Sequence, residues 1–445
     1  MNKKNVSIVT LGCSKNEVDS EIMESVLNKK YFNYTKYLHE ADVIIVNTCG
    51  FIEAAKEESI DTIIEMAQYK ENGNCKHLIL AGCLAQRYSG ELIKEIPEVD
   101  AIMGTGNIKD LNNILNKLDK SLKIIEVDNV DGDYLEGVKR EVNSPVAYIR
   151  ISEGCDNLCT YCIIPQLRGK HRSRKTEDIL REAKDLVENG VKEIILIAQN
   201  TSDYGIDIYG EFSLHKLLDK MNMITDLKLI RLLYLYPDNI DDRLIQSIKR
   251  NNKVAMYLDI PLQHASDNVL KLMNRRTTKE QIYKIIDKLR HEIPQIVLRT
   301  TFIVGFPGET QTDFNELYEF IETVKFDKLG VFTYSKEENT PAFNLANQVK
   351  EEIKEIRRDI LMELQLKISE ELMSSKVGNV YKVMIEEVAE EGVYVGRSYM
   401  DAPEIDGVVY VNSPVELTIG EFVDVKITEF LEYDLLGELL NESTQ

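Results

Sequence analysis

The 445-residue sequence predicts an α/β protein in three parts: an N-terminal open parallel α/β domain, a central partial (βα)6 barrel, and a small all-β domain at the C-terminus. Three observations predict it. Short apolar runs alternate with amphipathic helical patterns from Val6 to Thr333, the rhythm of parallel sheets. Beyond Lys376 the pattern changes to short strands separated by turn signals, as in small barrels or sandwiches. The length exceeds one ordinary core, so two or three domains are expected.

In the first part, expected at residues 4–120, apolar runs at Val6–Leu11, Val43–Val46, Leu78–Ala81 and Ala101–Met103 read as strands. Helical patterns lie between them around Glu17–Asn28, Ile52–Met66 and Tyr88–Lys94. Three of these strands run into cysteine: Leu-Gly-Cys13, Asn-Thr-Cys49 and Ala-Gly-Cys83. Parallel sheets bind ligands beyond the carboxyl ends of their strands, so three thiols delivered there read as a three-ligand cluster site. Ordinary buried cysteines are the plainer alternative. The shared placement, and Gly12 and Gly82 beside two of the three, favour a site.

A polar stretch, Val127–Ser144, reads as linker, bounded here as 121–140. The second part, expected at 141–372, has strand patterns at Ala147–Ser152, Glu193–Ala198, Lys228–Leu235, Ala255–Ile260, Val297–Val304 and Lys328–Thr333. Helical segments alternate with them, including Thr176–Asn189, Leu214–Ile224, Asp241–Lys249, Lys279–His291 and Gln311–Thr323. Six units are too few to close an eight-stranded barrel but fit a partial one. A charged helix at Glu351–Ser374 then leads to the β-domain, expected at 375–441, with strands at Lys382–Glu387, Gly392–Gly396, Val408–Val411 and Phe422–Thr428.

Composition narrows the function classes. No segment approaches the roughly 20 apolar residues that span a bilayer, and the N-terminus lacks a signal-peptide pattern, so the expected location is cytoplasmic. Seven cysteines, an odd number, argue for metal or catalytic thiols rather than disulfides. A net charge of −21 makes the average surface a poor platform for nucleic acid, unless basic patches are local.

The densest chemical signal is Gly-Cys155-Asp-Asn-Leu-Cys159-Thr-Tyr161-Cys162, placed after the first strand of the partial barrel, at the end where barrel enzymes keep their chemistry. A closed iron–sulfur cluster or structural zinc site takes four protein ligands, and this loop supplies three. A cubane on three cysteines leaves one iron open to a small molecule. The alternative is a zinc ribbon without its partner pair; the nearest spare cysteine, Cys75, is far upstream.

The C-x-x-x-C-x-x-C spacing resembles the cluster-binding loop of the radical S-adenosylmethionine (SAM) superfamily, and Tyr161 matches the aromatic position that lies along the adenine. The whole chain resembles the methylthiotransferases, which join a three-cysteine domain, a radical SAM core and a C-terminal TRAM domain. Cys13, Cys49 and Cys83 match the first set of ligands; Cys155, Cys159 and Cys162 match the SAM loop. The run Pro165–Arg174 matches the family's basic segment, and Ile303-Val-Gly305-Phe-Pro307-Gly-Glu309 resembles the glycine motif that lies against SAM. The resemblance implies two 4Fe-4S clusters held by the six cysteines, S-adenosylmethionine as methyl donor and radical source, SAM contacts from Tyr161, Gly305 and Pro307, and an electron donor such as flavodoxin or ferredoxin.

Family members modify either an adenosine in transfer RNA or an aspartate in a ribosomal protein. Residues 376–445 hold four Lys or Arg against fifteen Asp or Glu. A domain gripping RNA needs cations for the phosphates, whereas an acidic one suits a basic protein. Solubility alone is the alternative explanation of that charge. Arg397–Gly407, Tyr234–Pro237, Pro261–His264 and Gly330–Ser335 resemble signatures of the RimO-type ribosomal protein methylthiotransferases. That resemblance implies methylthiolation of the β-carbon of an aspartate in the twelfth protein of the small ribosomal subunit, with nucleic acid and membrane not expected as partners. A transfer RNA adenosine methylthiotransferase and a non-catalytic iron–sulfur or zinc protein are the alternatives. Arg168, Lys170, Arg172 and Arg174 either attract the carboxylate of substrate or SAM, or pair with the protein's own acids.

Overall fold

The computed structural model describes residues 3–120, 123–128, 130–132 and 136–440. Of the expected linker, residues 121, 122, 129 and 133–135 lie outside the described residues, as does 441 at the end of the expected β-domain.

The N-terminal sheet contains β1 (Lys4–Thr10), β2 (Phe32–Tyr34), β3 (Val43–Thr48), β4 (His77–Ala81), β5 (Val99–Met103) and β6 (Ile124–Glu126). They are ordered β2-β1-β3-β4-β5-β6, with every pairing parallel. Every residue of β3 is buried, the signature of a parallel strand covered by helices on both faces. Two three-residue strands were not expected. Phe32–Tyr34 lies on the outer edge of the sheet, and Ile124–Glu126, within the stretch read as linker, extends the opposite edge. Runs this short carry no readable period.

The central sheet is formed by β7 (Val146–Arg150), β8 (Glu193–Ile197), β9 (Leu229–Leu232), β10 (Val254–Asp259), β11 (Val297–Val304) and β12 (Lys328–Thr333). All are parallel and lie in sequence order, an open six-stranded arc. Crossover helices cover its outer face with a large apolar core including Ile179, Leu217, Ile245, Ile286 and Phe320. Its inner face carries Tyr148, Ile197, Leu233 and Tyr257, which share one core with Val18 and Met23 of the N-terminal part and with Met400 and Val411 near the C-terminus. The three parts are thus packed around a common interior.

The C-terminal strands, β13 (Val380–Glu390), β14 (Val393–Arg397), β15 (Val409–Asn412), β16 (Phe422–Phe430) and β17 (Leu435–Leu439), close into a barrel in the order β13-β14-β15-β17-β16. Leu435–Leu439, absent from the sequence-based expectation, is the strand that closes it, pairing with both β15 and β16. The stretch after β14 plugs one end of the central arc. Arg397 Nη2 donates to Glu193 Oε2 at 2.8 Å, Arg231 Nη1 to the Tyr399 carbonyl at 2.8 Å, Lys328 Nζ to Asp401 at 2.8 Å and Tyr257 OH to Asp406 at 2.7 Å. A run recognisable in sequence as a family signature is therefore a docking loop, with Arg397, Asp401 and Asp406 spent inside the protein and Glu404 exposed.

Candidate active site

Cys13, Cys49 and Cys83 follow β1, β3 and β4, which are adjacent in the sheet. Their loops are tied by short polar residues. Asn16 Nδ2 donates to the carbonyls of Leu11 (2.8 Å) and Thr48 (3.0 Å), and Asn47 Nδ2 to that of Asn16 (2.8 Å). Ser59 Oγ accepts from the Cys49 amide and donates to the Cys49 carbonyl. Gly12 and Gly82 adopt φ of +92° and +88°, the left-handed region open to glycine. A Cβ on Gly12 would lie 2.7 Å from Cys49 Cβ and 3.0 Å from its Sγ, so the cysteine loops touch where glycine sits.

The second loop is clamped from three sides. Thr160 donates its amide to the Met273 carbonyl at 3.0 Å and its hydroxyl to Leu272 O at 2.8 Å. Asn274 Nδ2 donates to Leu158 O at 2.7 Å, and the Ala342 amide to Thr160 O at 2.9 Å. Gly154, φ +76°, leads into Cys155, whose amide donates to Gly169 O at 3.1 Å. Tyr161 packs edge-on to Phe306, ring centroids 6.5 Å apart, which joins this loop to the Gly305–Glu309 turn. Gly305 (φ +73°) and Pro307 are buried in that turn; the Lys354 side chain lies against Gly305, and Glu309 accepts from the Phe306 amide and pairs with Arg357 at 2.7 Å.

The two loops meet. Cys83, Ile163 and Leu167 form one small buried cluster, so the residue after Cys162 touches the N-terminal trio. Thr105 Oγ1 donates to Leu167 O at 2.6 Å. Arg168, 2% exposed, crosses the seam: it pairs with Asp19 (3.0 Å) and Glu153 (3.3 Å), donates to Asn16 Oδ1 (2.7 Å) and lies 3.7 Å from Cys83 Sγ. Arg150 joins the same two carboxylates, Asp19 at 2.5 Å and Glu153 at 2.7 Å. Glu153 is buried; burial alone would raise its pKa, but Arg150 and Arg168 prevail and hold it at about 2. Further along the seam, Glu337 pairs with Arg87 (2.8 Å) and Lys56 (3.2 Å).

All seven cysteines are free thiols. Burial pushes Cys83 and Cys155 up to about 11 and Cys162 up to about 12. Burial also acts on Cys13, but Lys15, Arg168 and nearby backbone amides outweigh it and hold that thiol below its usual range, while its surface stays accessible. Arg275 stacks on Tyr236 at 4.0 Å and places its charge beside Cys159 and Tyr161. Six soft thiol donors in two sets, with no imidazole among them, are the donor type of iron–sulfur chemistry. Among the described residues, no three Cys, His, Asp or Glu side chains converge as ligands of one ion. A polynuclear cluster, taking one thiolate per iron, does not require such convergence.

Of the basic segment, Arg168 is spent as above, Arg172 pairs with Asp131 (3.1 Å), and Arg174 with Asp178 and Glu182 (both 2.5 Å). Lys170 is exposed. Cys75 is buried, with its thiol 3.3 Å from the His77 carbonyl. Sequence reasoning missed Asn16, Lys15 and Arg275 altogether. The polar Lys15-Asn16 pair directly after Gly-Cys-Ser was the available signal; Arg275 had none.

Three family models match the chain: the radical SAM superfamily over residues 149–321, the uncharacterized protein family UPF0004 over 5–104, and the TRAM domain over 377–440. A ribosomal protein uS12 methylthiotransferase RimO from Clostridioides difficile is 54% identical, covering 98% of this chain and 99% of its own. The RimO of Acetivibrio thermocellus is 52% identical over the full length of both. Among solved structures, the radical SAM methyltransferase TsrM from Kitasatospora setae, with cobalamin and a [4Fe-4S] cluster, superposes with a TM-score of 0.57 at 12% identity, covering 77% of this chain and 74% of that one. At that identity the likeness concerns the fold.

Proposed function

Because this chain belongs to the RimO family of ribosomal protein uS12 methylthiotransferases, radical SAM enzymes, we propose that it adds a methylthio group to the β-carbon of an aspartate in uS12 using two 4Fe-4S clusters. Cys155, Cys159 and Cys162 would hold the cluster that binds SAM, and Cys13, Cys49 and Cys83 the second. When bound, these groups supply a carbon-centred radical and a transferable sulfur. That chemistry suits the target, since a β-hydrogen of aspartate is not acidic enough for a general base at neutral pH.

The observation that carries the reading is the contact of Cys83 with Ile163, which brings the two cysteine trios to one seam. The chain's own part there is to hold and to exclude water. Arg168 and Arg150 neutralise Asp19 and Glu153 inside the seam, so these four charges are matched where the two trios approach. Tyr161, braced by Phe306, offers a ring beside the Cys162 loop for the adenine, and the Gly305–Pro307 turn behind it is the second proposed SAM contact. The acidic excess of residues 376–445 supports a basic protein as partner in preference to RNA, even with Asp401 and Asp406 used in docking. No described helix is long and apolar enough to cross a membrane.

Mass analysis of uS12 and of transfer RNA from cells with and without the gene tests the proposal. Loss of a methylthio increment from a uS12 aspartate is the expected result. An intact uS12 modification alongside a missing transfer RNA methylthio group would reverse it.

A further inference from the structure

Lys15 is the second residue of the helix Ser14–Val26 and is only 8% exposed. That is an unfavourable place for a cation. The first turn of a helix carries the positive end of its dipole, and burial strips the ammonium of water. Among the described residues no carboxylate lies within ion-pair distance of it, although Arg150 and Arg168 nearby are both matched to acids. What it meets instead is the face of Tyr234, with Nζ 3.2 Å from the ring centroid.

Tyr234 is itself unusual. It stands just past the carboxyl end of β9 with φ +62°, a conformation costing a side-chain-bearing residue about 1–2 kcal/mol. Its backbone is held there from both sides. The Asp259 carboxylate accepts its amide at 3.0 Å, and its carbonyl accepts from the Thr201 amide at 2.9 Å. Strain that the surroundings over-determine in this way gathers where a side chain has to be presented. Here it places an aromatic face under an ammonium two residues from Cys13.

We propose that Lys15 is the carboxylate-binding cation of this site: it receives the side chain of the aspartate to be modified, with Tyr234 fixing the ammonium beneath it. This rests on the function proposed above. It gives the fold a reason to bury, beside the N-terminal cysteines, a cation that no described carboxylate matches, where the β-carbon next to a captured carboxylate would lie close to the sulfur source.

The test uses anaerobically reconstituted holoenzyme, wild type and Lys15→Gln, with purified uS12, a uS12 variant whose modified aspartate is asparagine, and SAM as the three ligands. Wild type should bind the aspartate form roughly tenfold or more tightly than the asparagine form, the worth of a charge-assisted hydrogen bond. Lys15→Gln should bind both forms alike, with SAM affinity kept. Undiminished preference for aspartate in Lys15→Gln overturns the proposal. A fall in SAM affinity with that preference intact also overturns it, assigning the cation to the carboxylate of SAM. If wild type binds neither form of uS12, the functional reading itself fails, and the inference with it. Should Lys15→Gln not load its clusters, Lys15→Arg keeps the charge and must keep the preference; losing it there counts equally against the proposal.

Discussion

Replacing Gly12 with alanine should empty one cluster site and spare the other. At φ +92° an L-residue pays about 1–2 kcal/mol for its backbone alone. The new methyl would stand 2.7 Å from Cys49 Cβ and 3.0 Å from its Sγ, closer than carbon atoms approach. Cys49 cannot simply retreat, because Ser59 holds both its amide and its carbonyl, at 3.0 and 2.8 Å. Overpacking of that kind costs a further 1–3 kcal/mol or so, giving roughly 2–5 kcal/mol in all, concentrated where two of the three N-terminal thiols meet. The assay is iron content after anaerobic reconstitution, with deoxyadenosine formation from SAM and methylthio product measured on the same preparation. Wild type should carry about eight irons per chain and Gly12→Ala about four, since each cubane holds four. Gly12→Ala should still cleave SAM but make no methylthio product. The mirror experiment is Gly154→Ala, whose Cβ would meet the Lys170 carbonyl at 2.0 Å next to Cys155; it should lose deoxyadenosine formation. A Gly12→Ala enzyme with full iron content and normal product would refute the assignment of Cys13 and Cys49 to one cluster.

Serine at Cys13, Cys49 or Cys83 should leave reductive SAM cleavage intact while abolishing sulfur insertion, whereas serine at Cys155 should stop deoxyadenosine formation; product analysis by mass spectrometry separates the two outcomes. Arg168→Met leaves Asp19 and Glu153 paired with Arg150, and Glu153 still accepting from Gln199, so the loss should fall near the lower end of the 3–5 kcal/mol usual for a broken buried pair, about 3 kcal/mol. Hydrogen exchange across the seam would show it as reduced protection, and unchanged protection would count against the network. Glu17 is held at about 7, above its ordinary 4.5, by burial and then by Glu21 and Glu404, with Arg140 pulling the other way. The folded state therefore keeps a proton that the unfolded chain releases between those values, and stability falls as pH rises from about 4.5 to about 7. Glu17→Gln should raise the melting temperature at pH 8 and leave it nearly unchanged at pH 4.5; equal shifts at both would disprove the linkage.

The order of the three parts, the parallel character of the first two sheets and the placement of three cysteines after strand ends were open to reading because they depend on local pattern. Buried strands such as Val43–Thr48 declare themselves by continuous apolar runs, and a thiol after a strand end is placed by the topology of parallel sheets. Strands of three residues and the barrel-closing Leu435–Leu439 escaped because such short runs take their conformation from the neighbours they pair with.

What the amino-acid order by itself determined was which donors exist and which loop each occupies. Tertiary structure alone decided whom each charge meets. Arg168 and Arg397 look alike as basic residues in signature runs, yet one spans the seam to Asp19, 149 positions away by subtraction, and the other plugs the central arc through Glu193, 204 positions away. Lys15 shows the converse, a buried cation with no carboxylate partner among the described residues. Electrostatic pairing depends on distance and burial in space, and neither is encoded in a residue's immediate neighbours along the chain.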